Sequence, residues 1–240
     1  MTKILCIIPA RSGSKGIPHK NIRNFNGLPL LVWSIKQAQR SKYSKLMRII
    51  VSTDYSMYIE IAKRYGAEAP FLRPKEISGD LSTDIECVKH CLEWLKQNDN
   101  YEPDIILQLR PTQPCRKVSD IDKCLDLFIK NIDSYDSLRT VVPFEKSAFK
   151  MYTVDIRSTP KLNPLFKTIY GINEPYNKCR QSLPQCYLHN GYIDIFKASL
   201  VAKNTLSGDS IYPYIMNPED TLDIDTINDW KKAENKFSWD

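Results

Sequence analysis

The turn Arg11-Ser12-Gly13-Ser14-Lys15-Gly16, followed by Lys20-Asn21, gathers cations, hydroxyls and glycines directly after the apolar run Lys3-Ile4-Leu5-Cys6-Ile7-Ile8. Glycine lets backbone N–H groups approach a ligand, while Arg11, Lys15 and Lys20 add charge and Ser12 and Ser14 add hydrogen bonds, so the turn is suited to polyphosphate. A nucleotide is the first ligand to consider. No Gly-Lys-Ser/Thr closes the turn and no Gly-x-Gly-x-x-Gly opens it, so neither a Walker A loop nor the dinucleotide fingerprint is implied. Near the other end, Leu222-Asp223-Ile224-Asp225-Thr226 carries two carboxylates two residues apart, which an extended backbone turns to the same side. Converging oxygen anions with a free face suit a divalent ion, Mg²⁺ or Mn²⁺, that also binds a nucleotide's phosphates. The plainer reading is that Asp225 or Thr226 caps a final helix. The phosphate-type turn at the opposite end favours the metal, and the combination looks like a nucleotidyltransferase.

Positioning these residues falls to short β-branched runs alternating with amphipathic stretches. The pattern predicts strands at 3–9, 48–52, 68–71, 104–109 and 138–143, and helices near 29–40, 55–65, 83–97 and 118–130. Strands at 187–196 and 211–215 and a closing helix from about 226 follow. This is an α/β pattern, a mostly parallel sheet flanked by helices, in which ligands bind at the carboxyl ends of the strands. The loops after Pro9, Ser52, Phe71 and Leu109 should therefore open on one site. Between about 145 and 185, Pro160, Pro164, Pro175 and Pro184 interrupt a stretch bearing Phe149, Tyr152, Phe166, Tyr170 and Tyr176. It is too aromatic for a disordered linker and reads as an arm packed on the parent domain or on a second subunit.

At 240 residues and 42% hydrophobic content the chain fits one domain, 1–240, carrying that arm. The net charge of +6 is spread among 28 acidic residues without a block of like sign, which points to small anions and away from nucleic acid. No apolar run reaches the roughly 20 residues a bilayer span needs, and no cleavage site follows the first strand, so a soluble cytoplasmic protein is expected. Seven cysteines without a Cys-x-x-Cys, beside only three histidines, argue against zinc and for a reducing compartment. Cys87 and Cys91 share a helix face and read as core.

The segment Ile8-Pro9-Ala10-Arg11-Ser12-Gly13-Ser14-Lys15-Gly16-Ile17-Pro18-His19-Lys20-Asn21 resembles the signature of the N-acylneuraminate cytidylyltransferase family, which makes CMP-sialic acids. Further blocks fall in family order: Val51-Ser52-Thr53-Asp54, Leu72-Arg73-Pro74, Arg180-Gln181-Ser182-Leu183-Pro184-Gln185 with Asn190-Gly191, and Asp223-Ile224-Asp225-Thr226. The resemblance implies a Rossmann-like nucleotidyltransferase fold with a small dimerisation arm, usually a homodimer. It implies transfer of CMP from CTP to the anomeric hydroxyl of a 2-keto-3-deoxy sugar acid, with release of pyrophosphate. By the same resemblance Arg11, Ser14, Lys20 and Asn21 hold the triphosphate, with Lys20 and Arg11 stabilising the departing pyrophosphate. Arg73 and Ser82 fall beside the cytosine and ribose. Asp225 matches the principal metal ligand, and Asp223 a second ligand or a group assisting deprotonation of the nucleophile. Lys150 and Arg180 match a carboxylate-binding pair, and Asn190 a sugar contact.

One departure concerns the acceptor. Sialate-type members carry glutamine where this chain has Arg110, in Leu109-Arg110-Pro111-Thr112, and place a tyrosine near the position of Asp194. A guanidinium in place of an amide changes charge and hydrogen bonding at a position facing the acceptor, so the expected substrate is a relative of sialic acid or another anionic acceptor. The alternatives are a 3-deoxy-octulosonate (Kdo) acceptor, GTP in place of CTP, and a nucleotide-binding module without catalysis. A non-catalytic module would be expected to lack Lys20, Asp223 or Asp225, and all three are present.

Overall fold

The apolar run at the amino end becomes the centre of the sheet. In the computed structural model, which describes residues 2–157 and 159–239, strand β1 (Ile4–Pro9) is buried along both faces. That burial explains why it reads as continuous Ile, Leu and Cys and not as an alternation. It pairs in parallel with β2 (Met47–Ser52) on one side and β3 (Ile105–Gln108) on the other. With β4 (Ser137–Phe144), β5 (Cys186–Lys197) and β6 (Ile211–Ile215), the sheet has the order β6-β4-β5-β3-β1-β2. Three of its five pairings are parallel, and β5 runs antiparallel between β3 and β4.

Helices cover both faces. On one side α3 (Asp84–Asp99) sets Cys87, Val88, Cys91 and Leu95 against Leu5, Ile7 and Ile106, the core role expected of the two cysteines. On the other, α1 (Leu30–Arg40) and α4 (Val118–Lys130) pack Leu31, Ile35, Ile121 and Phe128 against Cys6, Ile8 and Leu107. Helix α2 (Ser56–Arg64) follows β2, and α5 (Ile227–Lys236) closes a third cluster through Trp230, Phe25 and Trp33. The expected strand 68–71 is absent: only Glu68 bridges Ile50. Pro70 lacks the N–H that would extend the ladder, so the pairing stops there.

The arm forms two small antiparallel ribbons, Tyr152–Asp155 with Lys161–Pro164 and Thr168–Ile169 with Ile172–Asn173. Ring contacts Phe149–Phe166 and Tyr152–Tyr176 hold it to itself. Val154, Ile156, Leu162 and Tyr170 remain exposed.

Candidate active site

Loops at the carboxyl ends of β1 and β3 meet in a cleft of about 480 Å³. Arg11, Ser14, Lys20, Asn21, Arg73 and Ser82, the six residues expected to hold the nucleotide, all line it. The turn after β1 is braced from behind: Ser12 donates from its N–H and its Oγ to the two carboxylate oxygens of Asp54, each at 2.7 Å. Asn21 is buried and its Nδ2 donates to the Arg11 carbonyl at 2.9 Å, so that amide shapes the turn. Arg73 is only 6% exposed, and its Nε and Nη2 have no hydrogen-bond partner in the protein. A buried guanidinium in that condition calls for an acceptor from outside the chain.

Two of the turn's cations share one carboxylate. Asp80 receives Arg11 Nη1 at 3.0 Å and Lys15 Nζ at 2.7 Å, and the Gly79 carbonyl accepts from Arg11 at 2.7 Å. The Lys15 hydrogen bond, with the Arg11 guanidinium beside it, holds the Asp80 carboxyl below the usual range. Sequence reasoning passed over Asp80, because nothing local marks an acid in a Gly-Asp turn as the partner of cations some seventy positions earlier.

The opening turn also touches the carboxylate segment. Lys20 Nζ donates to the Ile224 carbonyl at 2.6 Å and pairs with Asp225 at 3.1 Å. A Cβ on Gly16 would lie 2.2 Å from the Asp225 carbonyl oxygen, so no other residue fits at position 16 without displacing backbone. Ile224 is fully buried and donates its N–H to Thr112 at 2.9 Å, which leaves Asp223 and Asp225 facing outward as the alternation predicts. Thr226 does cap α5, its hydroxyl accepting from the Asp229 N–H at 3.2 Å, so the cap and the outward carboxylates coexist. Surrounding protein pushes the Asp223 carboxyl up even though solvent reaches it, and the Asp225 charge pushes the same way. Among the described residues no group of three or more His, Cys, Asp or Glu side chains is placed to hold a metal ion.

Asp225 lines the first cleft, whereas Asp223 lines a second one of about 420 Å³. Arg110 lines both. It is not a free cation: Nη2 donates to Asp84 at 2.6 Å and Nη1 to Asp194 at 2.5 Å. Asp194 is fully buried and also holds Arg139 at 2.8 Å and His189 at 2.7 Å. Burial alone would raise its carboxyl, but the His189 hydrogen bond and the two guanidinium charges hold it well below the ordinary carboxylate range. Neither Arg139 nor the grip of Asp194 on His189 was legible in the sequence.

The remaining expected residues are placed differently. Asn190 lines the second cleft, but its side chain is turned inward: Oδ1 accepts from the Thr140 hydroxyl at 2.7 Å and from the Tyr192 N–H at 3.1 Å, and Nδ2 donates to the Met216 sulfur. Lys150 and Arg180 line neither cleft and lie exposed in the arm.

A profile of the cytidylyltransferase family matches residues 5–182. The chain is 32% identical over 238 residues to a pseudaminic acid cytidylyltransferase of Campylobacter jejuni, covering 97% of this chain and 95% of that one. It is 33% identical over 233 residues to an N-acylneuraminate cytidylyltransferase of Escherichia coli, covering 97% of this chain and 51% of that longer protein. In three dimensions it superposes on a CMP:2-keto-3-deoxy-manno-octonic acid synthetase solved with CTP, with a TM-score of 0.67 at 16% identity over 98% of each chain, a likeness of fold. Among the described residues no helix is long and apolar enough to cross a membrane.

Proposed function

The chain belongs to the cytidylyltransferase family, and from that premise we propose that it transfers CMP from CTP to the anomeric hydroxyl of a nonulosonate-type 2-keto-3-deoxy sugar acid, releasing pyrophosphate. Relatives named for pseudaminic and for N-acylneuraminic acid are almost equally similar, which supports the class of acceptor without choosing its member. The observation that carries the proposal is the first cleft itself. There a buried guanidinium with two unpartnered nitrogens, Arg73, lies alongside Arg11, Lys15 and Lys20.

The physical difficulty of the reaction is that an anionic acceptor must approach a polyanion. In the proposed mechanism the triphosphate displaces Asp80 from Arg11 and Lys15, and Lys20 shifts from Asp225 toward the leaving phosphates. Charge developing on pyrophosphate then meets fixed cations at the instant the bond breaks. Ser14 and the backbone of the turn orient the phosphates, while Arg73 and Ser82 hold the base and ribose. The acceptor's hydroxyl attacks the α-phosphorus directly as the bond to pyrophosphate breaks, its proton passing to solvent, without a covalent enzyme intermediate.

Asp223 and Asp225 fit a divalent ion, Mg²⁺ or Mn²⁺. Both are oxygen donors, they repel each other electrostatically, and they number two, as expected where phosphates complete the coordination shell. A divalent ion there supplies charge neutralisation on the phosphate oxygens. Because Asp225 borders the nucleotide cleft and Asp223 the second cleft, the pair spans the boundary across which donor and acceptor would meet.

The acceptor's carboxylate requires cations of its own, and Arg110 is already paired with Asp84 and Asp194. We assign that role to Lys150 and Arg180 of a homodimer, in which the arm's exposed Val154, Ile156, Leu162 and Tyr170 pack against a second copy. The enzyme is proposed to act in the cytoplasm, where CTP is found. Mixing the protein with CTP, GTP, Mg²⁺ and a panel of sugar acids, then weighing the products by mass spectrometry, tests base and acceptor together. Absence of pyrophosphate and of any nucleotide-linked sugar would falsify the proposal.

A further inference from the structure

Asp194 organises a wall of the second cleft from below. In a regular strand residues five apart face opposite sides, yet His189 and Asp194 meet at 2.7 Å. The register against β4 explains it: His189 pairs with Val141 but Asp194 with Arg139, so the segment between them bulges. Gly191 sits in that bulge at φ +63°, and a Cβ there would come within 3.2 Å of Arg110 Nη1. The bulge thus sets His189 and Arg110 on one carboxylate. That carboxylate is held ionised and can only accept, so Nε2 of His189 carries the hydrogen and Nδ1 is the ring's remaining polar atom.

Charge in this cluster is balanced, with Arg110 and Arg139 against Asp84 and Asp194. Of the five N–H groups of the Arg110 guanidinium, Asp194, Asp84 and the Gly191 carbonyl engage three, which leaves the Nε–H and one Nη2–H. An arginine so compensated is a poor partner for a carboxylate and a well-fixed donor for a neutral oxygen.

We propose that Asp194 is a positioning residue for acceptor recognition: it locks Arg110 and His189 into a wall that meets an uncharged polar group of the sugar acid, a hydroxyl or acylamino substituent, and not its carboxylate. The inference rests on the cytidylyl-transfer reading above. The role sequence reasoning gave to Arg110 alone therefore belongs to a coupled set built around a buried acid.

Steady-state kinetics with CTP and N-acetylneuraminic, pseudaminic or 3-deoxy-octulosonic acid tests it, using His189→Gln, Asp194→Asn and the double variant Arg110→Gln/Asp194→Asn. His189 is partly exposed, so its variant keeps the test open if the buried pair does not tolerate change. The expected result is an acceptor KM raised about tenfold in His189→Gln and in the double variant, with the CTP KM within about twofold of the parent. Asp194→Asn alone should be worse than the double, because it leaves two guanidinium groups against Asp84 alone, whereas the double keeps one cation and one carboxylate. An unchanged acceptor KM in both His189→Gln and the double variant overturns the inference, as does an equal rise in the CTP KM. If the unaltered protein releases no pyrophosphate from CTP with any acid of the wider panel, the cytidylyl-transfer reading itself fails and this inference with it.

Discussion

Replacing Arg73 with methionine should move the empty and the nucleotide-bound protein in opposite directions. Two nitrogens of this side chain are buried without a partner, and leaving one polar group so costs about 1–3 kcal/mol. Methionine keeps much of the apolar stem and removes those nitrogens. Taking the low end, to allow for lost packing, the empty variant gains about 1 kcal/mol. For a domain of this size that raises Tm by ~2–4 °C. In the complex the same nitrogens are the ones the nucleotide would engage, and hydrogen bonds to a charged group are worth about 1.5–3 kcal/mol, so CTP should bind about 10- to 150-fold more weakly. Calorimetric melting with and without CTP, together with titration calorimetry, reads both signs on one pair of samples. A lower Tm for the empty variant combined with unchanged CTP affinity refutes the reasoning, since it would mean Arg73 is a structural cation already satisfied.

Gly16→Ala forces a Cβ against the Asp225 carbonyl, and overpacking against backbone should lower stability by about 1–3 kcal/mol with loss of CTP binding, measured by melting and titration. Asp80→Asn removes the carboxylate that occupies Arg11 and Lys15 and should tighten CTP binding; weaker binding would show that Asp80 assists the nucleotide. Asp225→Asn should shift the Mg²⁺ concentration needed for pyrophosphate release upward, and an unchanged Mg²⁺ titration would remove Asp225 from the metal site. Sedimentation at micromolar concentration should find a dimer, and a monomer would leave Lys150 and Arg180 without the role assigned to them.

The fold was legible because both faces of the central strands are buried and each helix carries a periodic apolar stripe, patterns that a sequence records locally. The strand expected at 68–71 failed at Pro70, whose missing N–H outweighs the apolar run around it. The nucleotide cleft was legible for a geometric reason: parallel strands deliver their following loops to one edge, so Arg11, Arg73 and Arg110 had to converge. What stayed hidden was pairing at a distance. Asp54 behind Ser12, Asp80 on Arg11 and Lys15, and Asp194 beneath Arg110 are set by loop paths and by a bulge, and period-two reasoning places His189 and Asp194 on opposite faces.

Lys20 grips the carbonyl of Ile224, 204 positions further along, and Gly16 abuts the next residue. During synthesis the phosphate turn therefore leaves the ribosome 204 positions ahead of its counterpart and lacks it until that stretch has followed. A nascent protein can assemble the early strands of its sheet while still lacking a complete nucleotide site. CTP would then act as a late ligand, stabilising only chains in which these two segments have already met.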